Sequence, residues 1–144
     1  MRYYADSSFL VSCYVVDTNT PRAKSALSAV HTPLDFTDLH ELEVQNALQL
    51  GVFRGDLTAA QAAAARANLR KDLKNGRLVR TVVKWPEIFR AATRLSQRHS
   101  KKSGTRSLDV LHVAAARSFR AKVFLSFDAR QIALAATVGL KVDA

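Results

Sequence analysis

The chain has 144 residues, 48% of them hydrophobic, one cysteine and a formal net charge of +10. That length suits a single domain over residues 1–144 with its own core, and the composition excludes a disordered tail. No apolar run approaches the roughly 20 residues that span a bilayer, the acid at Asp6 comes too early for a secretory leader, and the lone Cys13 excludes a disulfide framework or a cysteine zinc site and suits a reducing cytoplasm.

Residues 2–5 are predicted as a short strand. The apolar segment that follows to Val16 reads as a helix capped by Asp6 or Ser7, with Cys13 as a small buried hydrophobe. A turn over 17–21 leads into a short helix over 22–30, with Thr20 as its cap and Pro21 in its first turn. A second strand is expected over 33–37. Thr37 or Asp38 then caps a helix over 39–53, with Gly51 inside it and Gly55 at its end. Thr58 caps a long alanine-rich helix over 59–75, closed by Gly76. The β-branched, alternating stretch 78–83 is a third strand. Trp85-Pro86 opens a helix reaching His99, and 100–104 is a basic loop. Thr105 caps a helix over 106–120, and 122–126 (KVFLS) is a fourth strand. A helix over 128–138 ends at Gly139, and 140–142 is a fifth strand. Strands alternating with helices argue an α/β fold around a mostly parallel sheet.

The positive charge is uneven. Residues 57–107 hold thirteen Lys and Arg against only Asp72 and Glu87. Such a field attracts polyanions, and nucleic acid is the leading partner on charge, with an ordinary solvated face or an acidic protein as the alternatives. No signature with paired base-stacking aromatics appears.

Only twelve acids are present, so their placement is informative. Asp6 and Asp128 each lie after a predicted strand and before a helix. In an open parallel sheet, ligands bind beyond the carboxyl ends of the strands. Carboxylates brought together there repel, and a hard divalent cation such as Mg²⁺ or Mn²⁺ relieves the repulsion. Asp109 sits one turn into its helix, in the run TRSLDVLHVAAAR, either as a functional acid or as the salt-bridge partner of Arg106. Glu43 lies in the first turns of its helix, where the helix dipole alone favours an acid; Glu41 points elsewhere. Taken singly, each acid has a structural explanation, and the set of four in matching contexts is what points to a site.

Four stretches carry a further signal: YADSSFLVS at the start, HELEVQNAL, SLDVLHVAAA, and FLSFDARQIALAATVGLKV near the end. In that order they resemble the motifs of the PIN-domain family, and within it the VapC-type toxins of VapBC toxin–antitoxin pairs. The resemblance covers nearly the whole chain. It places the family's acids at Asp6, Glu43, Asp109 and Asp128, and its hydroxyl residues at Ser8 and Ser126, the latter position often being Thr in the family. The Ala-Leu four and five residues on selects Glu43 over Glu41.

The resemblance implies a three-layer α/β/α fold with a central, mostly parallel five-stranded sheet, and a metal-dependent endoribonuclease. Asp6, Asp109 and Asp128 would hold Mg²⁺ or Mn²⁺. Glu43 would hold a metal-bound water or act as base, and Ser8, Ser126 and Asn46 would orient carboxylates or waters. It also implies an RNA substrate, a VapB-type antitoxin and a homodimer. Arg98, Lys101, Lys102 and Arg106, around the basic loop, are the expected phosphate contacts. His112 reads as a packed helix histidine rather than a ligand, Arg130 as a partner of Asp128, and Trp85 as a core or interface anchor. The alternatives are an RNA-processing PIN nuclease outside toxin–antitoxin systems, a catalytically silent RNA- or protein-binding scaffold, and a phospho-acceptor domain. The last places an acid pair beside its first strand, whereas here only Asp6 follows that strand.

Overall fold

The computed structural model describes residues 1–143. In chain order the elements are β1 (Tyr3–Ala5), α1 (Ser7–Tyr14), α2 (Thr20–Leu27), β2 (Leu34–Phe36), α3 (Asp38–Phe53), α4 (Ala59–Lys74), β3 (Leu78–Arg80), α5 (Trp85–Leu95), a π-helical turn (Ser96–Ser100), α6 (Lys101–Ser103), α7 (Ser107–Ser118), β4 (Val123–Leu125), α8 (Ala129–Thr137) and β5 (Lys141–Asp143). They form two compact units. One comprises Met1–Asp6 and the residues from Val82 onward; the other, Ser7–Thr81, lies between those two stretches in sequence.

The first unit is built on a parallel three-stranded sheet in the order β1-β4-β5. Val123, Phe124 and Leu125 are all buried, as a central parallel strand covered on both faces requires. Tyr4 lies opposite Phe124 in the register, and their rings stack with centroids 5.7 Å apart. α7 is buried without a break from Val110 to Ala116, which makes it a core helix rather than an amphipathic one. α5 packs along it with Ile88, Ala92 and Leu95, at the i, i+4, i+7 spacing of one helix face. His112 is buried in this core, and its Nδ1 lies 2.7 Å from the Tyr4 hydroxyl. That accounts for it as a packed histidine.

In the second unit β2 and β3 pair in parallel, and α1 packs on α2, α3 and α4. Thr37 and Thr58 cap α3 and α4 by accepting from the backbone N–H of His40 and Gln61, which reach back in turn with their own side chains. Gly51 stands inside α3 because a Cβ there would lie 2.8 Å from Leu57 Cδ1.

Strands lie near the expected places and every pairing is parallel, but among the described residues they do not form the single five-stranded sheet that was expected. Their ladders are two, of three and of two strands. Several boundaries move. Thr20 lies inside α2; it binds Asp17 N and Val15 O instead of capping, and Asn19 takes the cap position. The helix expected to run to His99 leaves α-geometry at Ser96, and the basic loop is a helical turn closed by left-handed Gly104. Thr105 does not cap α7. Its hydroxyl bonds Ser100 and Ser103, and Arg106 is the N-cap. No helix among the described residues is long and apolar enough to cross a membrane.

Candidate active site

Asp6 is fixed at the carboxyl end of β1, where its N–H donates to Leu125 O at 3.0 Å and extends the ladder by one residue. Its side chain is wholly buried. A buried carboxylate needs donors, and Ser126, the residue after β4, donates its hydroxyl to Asp6 Oδ2 at 2.6 Å. The same Ser126 oxygen accepts from the Asp128 N–H at 2.9 Å. Asp128 caps α8, with Oδ1 accepting from the N–H groups of Arg130 (2.8 Å) and Gln131 (3.1 Å). Gln131 in turn donates its Nε2 to Asp109 Oδ1 at 2.9 Å, and Asp109 Oδ2 accepts from the Arg106 N–H at 3.0 Å. One continuous hydrogen-bonded path therefore joins Asp6, Asp128 and Asp109 through Ser126 and Gln131.

Gln131 was not singled out from the sequence. Asp128-Ala-Arg-Gln131 has the spacing of a capping box, in which the fourth residue reaches back to the cap. Here the side chain turns to Asp109 instead. An ionised carboxylate only accepts, so the amide nitrogen must face Asp109 and the amide oxygen must face away. That oxygen is buried and has no hydrogen-bond partner, one of two such side-chain atoms among the described residues; the other is Glu41 Oε2. A buried acceptor without a donor costs about 1–3 kcal/mol.

The second unit carries Glu43, whose Oε1 accepts from the Ser7 hydroxyl at 2.9 Å. Glu41 pairs with Arg80 at 3.3 Å, so the two glutamates of HELEV have different partners. Ser7 was expected only as a possible cap. Ser8 is exposed, and Asn46 is exposed with no side-chain hydrogen bond. Arg130 meets Asp128 through its backbone and not its guanidinium. Asp109 likewise binds the Arg106 backbone rather than its side chain. Arg98, Lys101, Lys102 and Arg106 are all exposed in the first unit.

The donor chemistry suits a hard divalent cation. It is oxygen throughout, and the unpartnered Gln131 oxygen adds one more such donor. The spacing is a separate matter: among the described residues no three His, Cys, Asp or Glu side chains form a group that could hold a metal ion as they stand.

No family model and no curated protein matches the chain in sequence. Solved structures do. VapC20 of Mycobacterium tuberculosis, described as a sarcin-ricin loop cleaving toxin, matches with a TM-score of 0.70 at 16% identity over 99% of both chains. FitAcB of Neisseria gonorrhoeae matches with a TM-score of 0.63 at 13% identity, over 99% of this chain and 96% of that one. PAE2754 of Pyrobaculum aerophilum matches with a TM-score of 0.61 at 20% identity, over 99% and 89%. The fold is PIN-like. The PIN-like architecture puts Asp6 at the carboxyl end of β1, and Ser126 and Asp128 just past the end of β4, where an open parallel sheet binds its ligands.

Proposed function

We propose that this chain is a metal-dependent endoribonuclease of the VapC type, cutting RNA phosphodiester bonds with Asp6, Asp109, Asp128 and Glu43. The observation that carries the reading is the path from Asp6 through Ser126, Asp128 and Gln131 to Asp109, which links three of the four motif acids by hydrogen bonds. It is supported by likeness of fold to a protein described as a sarcin-ricin loop cleaving toxin and by the basic stretch 57–107. The role of Glu43 rests on the motif.

Asp6, Asp109 and Asp128 would hold Mg²⁺ or Mn²⁺. Bound there, the ion would lower the pKa of a water and neutralise charge on the phosphoryl oxygens. The chain's own groups orient the site. The Ser126 hydroxyl fixes the rotamer of Asp6, the α8 N-terminus holds Asp128, and the Gln131 amide holds Asp109. Exposed Arg98, Lys101, Lys102 and Arg106 would bind backbone phosphates. A VapB-type antitoxin and a homodimer follow from the same resemblance, and a cytoplasmic location from the lone Cys13; all stand as part of the proposal.

A silent PIN scaffold is the second reading, favoured by the lack of a three-ligand group among the described residues. One experiment separates the two. Pooled small RNAs are incubated with the protein and Mg²⁺ or Mn²⁺, with EDTA and Asp6→Asn as controls. Cuts that need the metal and vanish in the variant support the nuclease. Retained cutting by Asp6→Asn refutes the site, and RNA binding without metal uptake or cutting favours the scaffold.

A further inference from the structure

In the first unit, α5 and α7 enclose a cavity of about 400 Å³ lined by Ala91, Arg94, Leu95, Arg98, Ala114, Arg117 and Ser118. Its floor is small and apolar. Arg94, Arg98 and Arg117 are three of its seven lining residues, and no acid lines it. None of the three has an ion pair or a side-chain hydrogen bond among the described residues. All three residues are exposed, so each guanidinium is open to an incoming ligand.

The local sequence builds this arrangement. Ala91, Arg94 or Leu95, and Arg98 follow at three- and four-residue steps, which lie on one helix face. Ala114, Arg117 and Ser118 repeat the pattern on α7. Arg98 rides on the π-helical turn that follows α5, a distortion common at functional sites. Three like charges sharing a small cavity repel one another, and a bound anion removes that repulsion. The planar guanidinium fork matches two oxygens of a phosphate at once.

We infer that this cavity is a phosphate subsite, in which Arg94, Arg98 and Arg117 grip the backbone of a single-stranded RNA. The inference rests on the ribonuclease reading for the identity of the polyanion. The sequence around the cavity favours RNA over an acidic protein. Arg94, Arg98 and then Lys101 and Lys102 set single positive charges at steps of three or four residues. That regular spacing suits a chain of singly charged phosphates. The cavity is also too small for a helix or strand of a partner.

The test measures binding without cleavage. A fluorescent 2′-O-methyl RNA of about twelve nucleotides is titrated in EDTA across a range of KCl, read by anisotropy. Three triple variants are compared with the wild type: Arg94→Gln/Arg98→Gln/Arg117→Gln, the charge-preserving Arg94→Lys/Arg98→Lys/Arg117→Lys, and a control at exposed α4 positions, Arg70→Gln/Lys71→Gln/Lys74→Gln. The cavity Gln variant is expected to bind at least about tenfold more weakly than the α4 control and to lower the salt slope by about 2, the value for three single-strand phosphate contacts. The Lys variant should recover the slope but not the full affinity. Equal losses in the two Gln variants would overturn the subsite, since general charge would then explain the binding. So would a poly-glutamate competitor whose binding depends equally on the same three arginines. A wild type that binds RNA but does not cut it leaves the subsite standing and removes only the nuclease reading; a wild type that does not bind RNA removes both.

Discussion

Gln131 holds Asp109 through its amide nitrogen at 2.9 Å and leaves its amide oxygen buried without a donor. The two residues are 22 positions apart, on α8 and α7. Their bond sets the position of an acid that no strand end positions. Because the carboxylate fixes which way the amide faces, the open oxygen follows from the bond itself.

Replacing Gln131 with Met should therefore separate activity from stability. The change deletes a bond to a charged group, which costs about 1.5–3 kcal/mol, but also deletes the unsatisfied acceptor, which returns about 1–3 kcal/mol. Melting should move by only a few degrees. Mn²⁺ affinity, read by calorimetry or electron paramagnetic resonance, should fall by about 10–100-fold, the usual loss when a group supporting a metal ligand is removed. Unchanged affinity would reduce Gln131 to a packing residue.

Asp6 and Ser126 should behave differently from each other. Asp6→Asn keeps an acceptor for the Ser126 hydroxyl, so the fold should survive while metal-dependent cleavage falls below detection. Ser126→Ala leaves the buried Asp6 carboxylate and the Asp128 N–H each short of a partner. It should destabilise the chain by about 2–6 kcal/mol, at roughly 1–3 kcal/mol for each group that loses this bond. Denaturant melts of the two variants beside an RNA-cleavage assay would check both.

The two glutamates of HELEV offer an internal control. Glu41→Gln removes an exposed pair with Arg80, worth about 0–1 kcal/mol, and should leave cleavage intact. Glu43→Gln should abolish cleavage with little effect on melting. The reverse pattern would mean that the motif register is off by two residues.

The α1 thiol and phenol define the alkaline limit of the second unit. Burial, aided by the nearby Asp17 and Asp72 charges, pushes the Cys13 thiol up to about 12. Burial also raises the Tyr14 phenol, reinforced by its hydroxyl's 2.8 Å bond to Asp72. Both groups are favoured neutral in the folded chain. Their stabilisation is whole below the free-thiol value of about 8.5 and drains as pH rises toward about 12. Urea midpoints between pH 8 and 11 should decline, and Tyr14→Phe with Cys13→Ala should flatten that decline. At pH 8 the thiol should react with iodoacetamide at least about a hundredfold more slowly than free cysteine, because its thiolate is scarce; a fast reaction would show that α1 opens.

What could be read from the sequence followed from period and punctuation. The strands, the capping boxes at Thr37 and Thr58, and the strand-end context of Asp6 and Asp128 are local signals, and local signals survive folding. The choice of Glu43 over Glu41 came from the motif resemblance, and the structure gives the two different partners. What escaped depends on distant partners. Asp109 read either as a functional acid or as the salt-bridge partner of Arg106, and its actual partners, that residue's backbone N–H and a side chain from α8, carry no local signal. Gln131 carried a capping pattern that the folded chain does not use. The resemblance places its hydroxyl residue at Ser8 and leaves Ser7 as a possible cap, yet it is Ser7 whose hydroxyl meets Glu43. The π-helical turn has no propensity signature, so the helix seemed to run on to His99.

The pairing of β1 with β4 has a consequence for synthesis. Tyr3–Ala5 leave the ribosome about 120 residues before their partners Val123–Leu125. The Ser126 bond to Asp6 and the Gln131 bond to Asp109 can form only once residues 126 and 131 have emerged. Contacts this far apart in sequence also form slowly. The acid network therefore depends on long-range closure of the β1–β4 ladder and cannot be built by any local element alone.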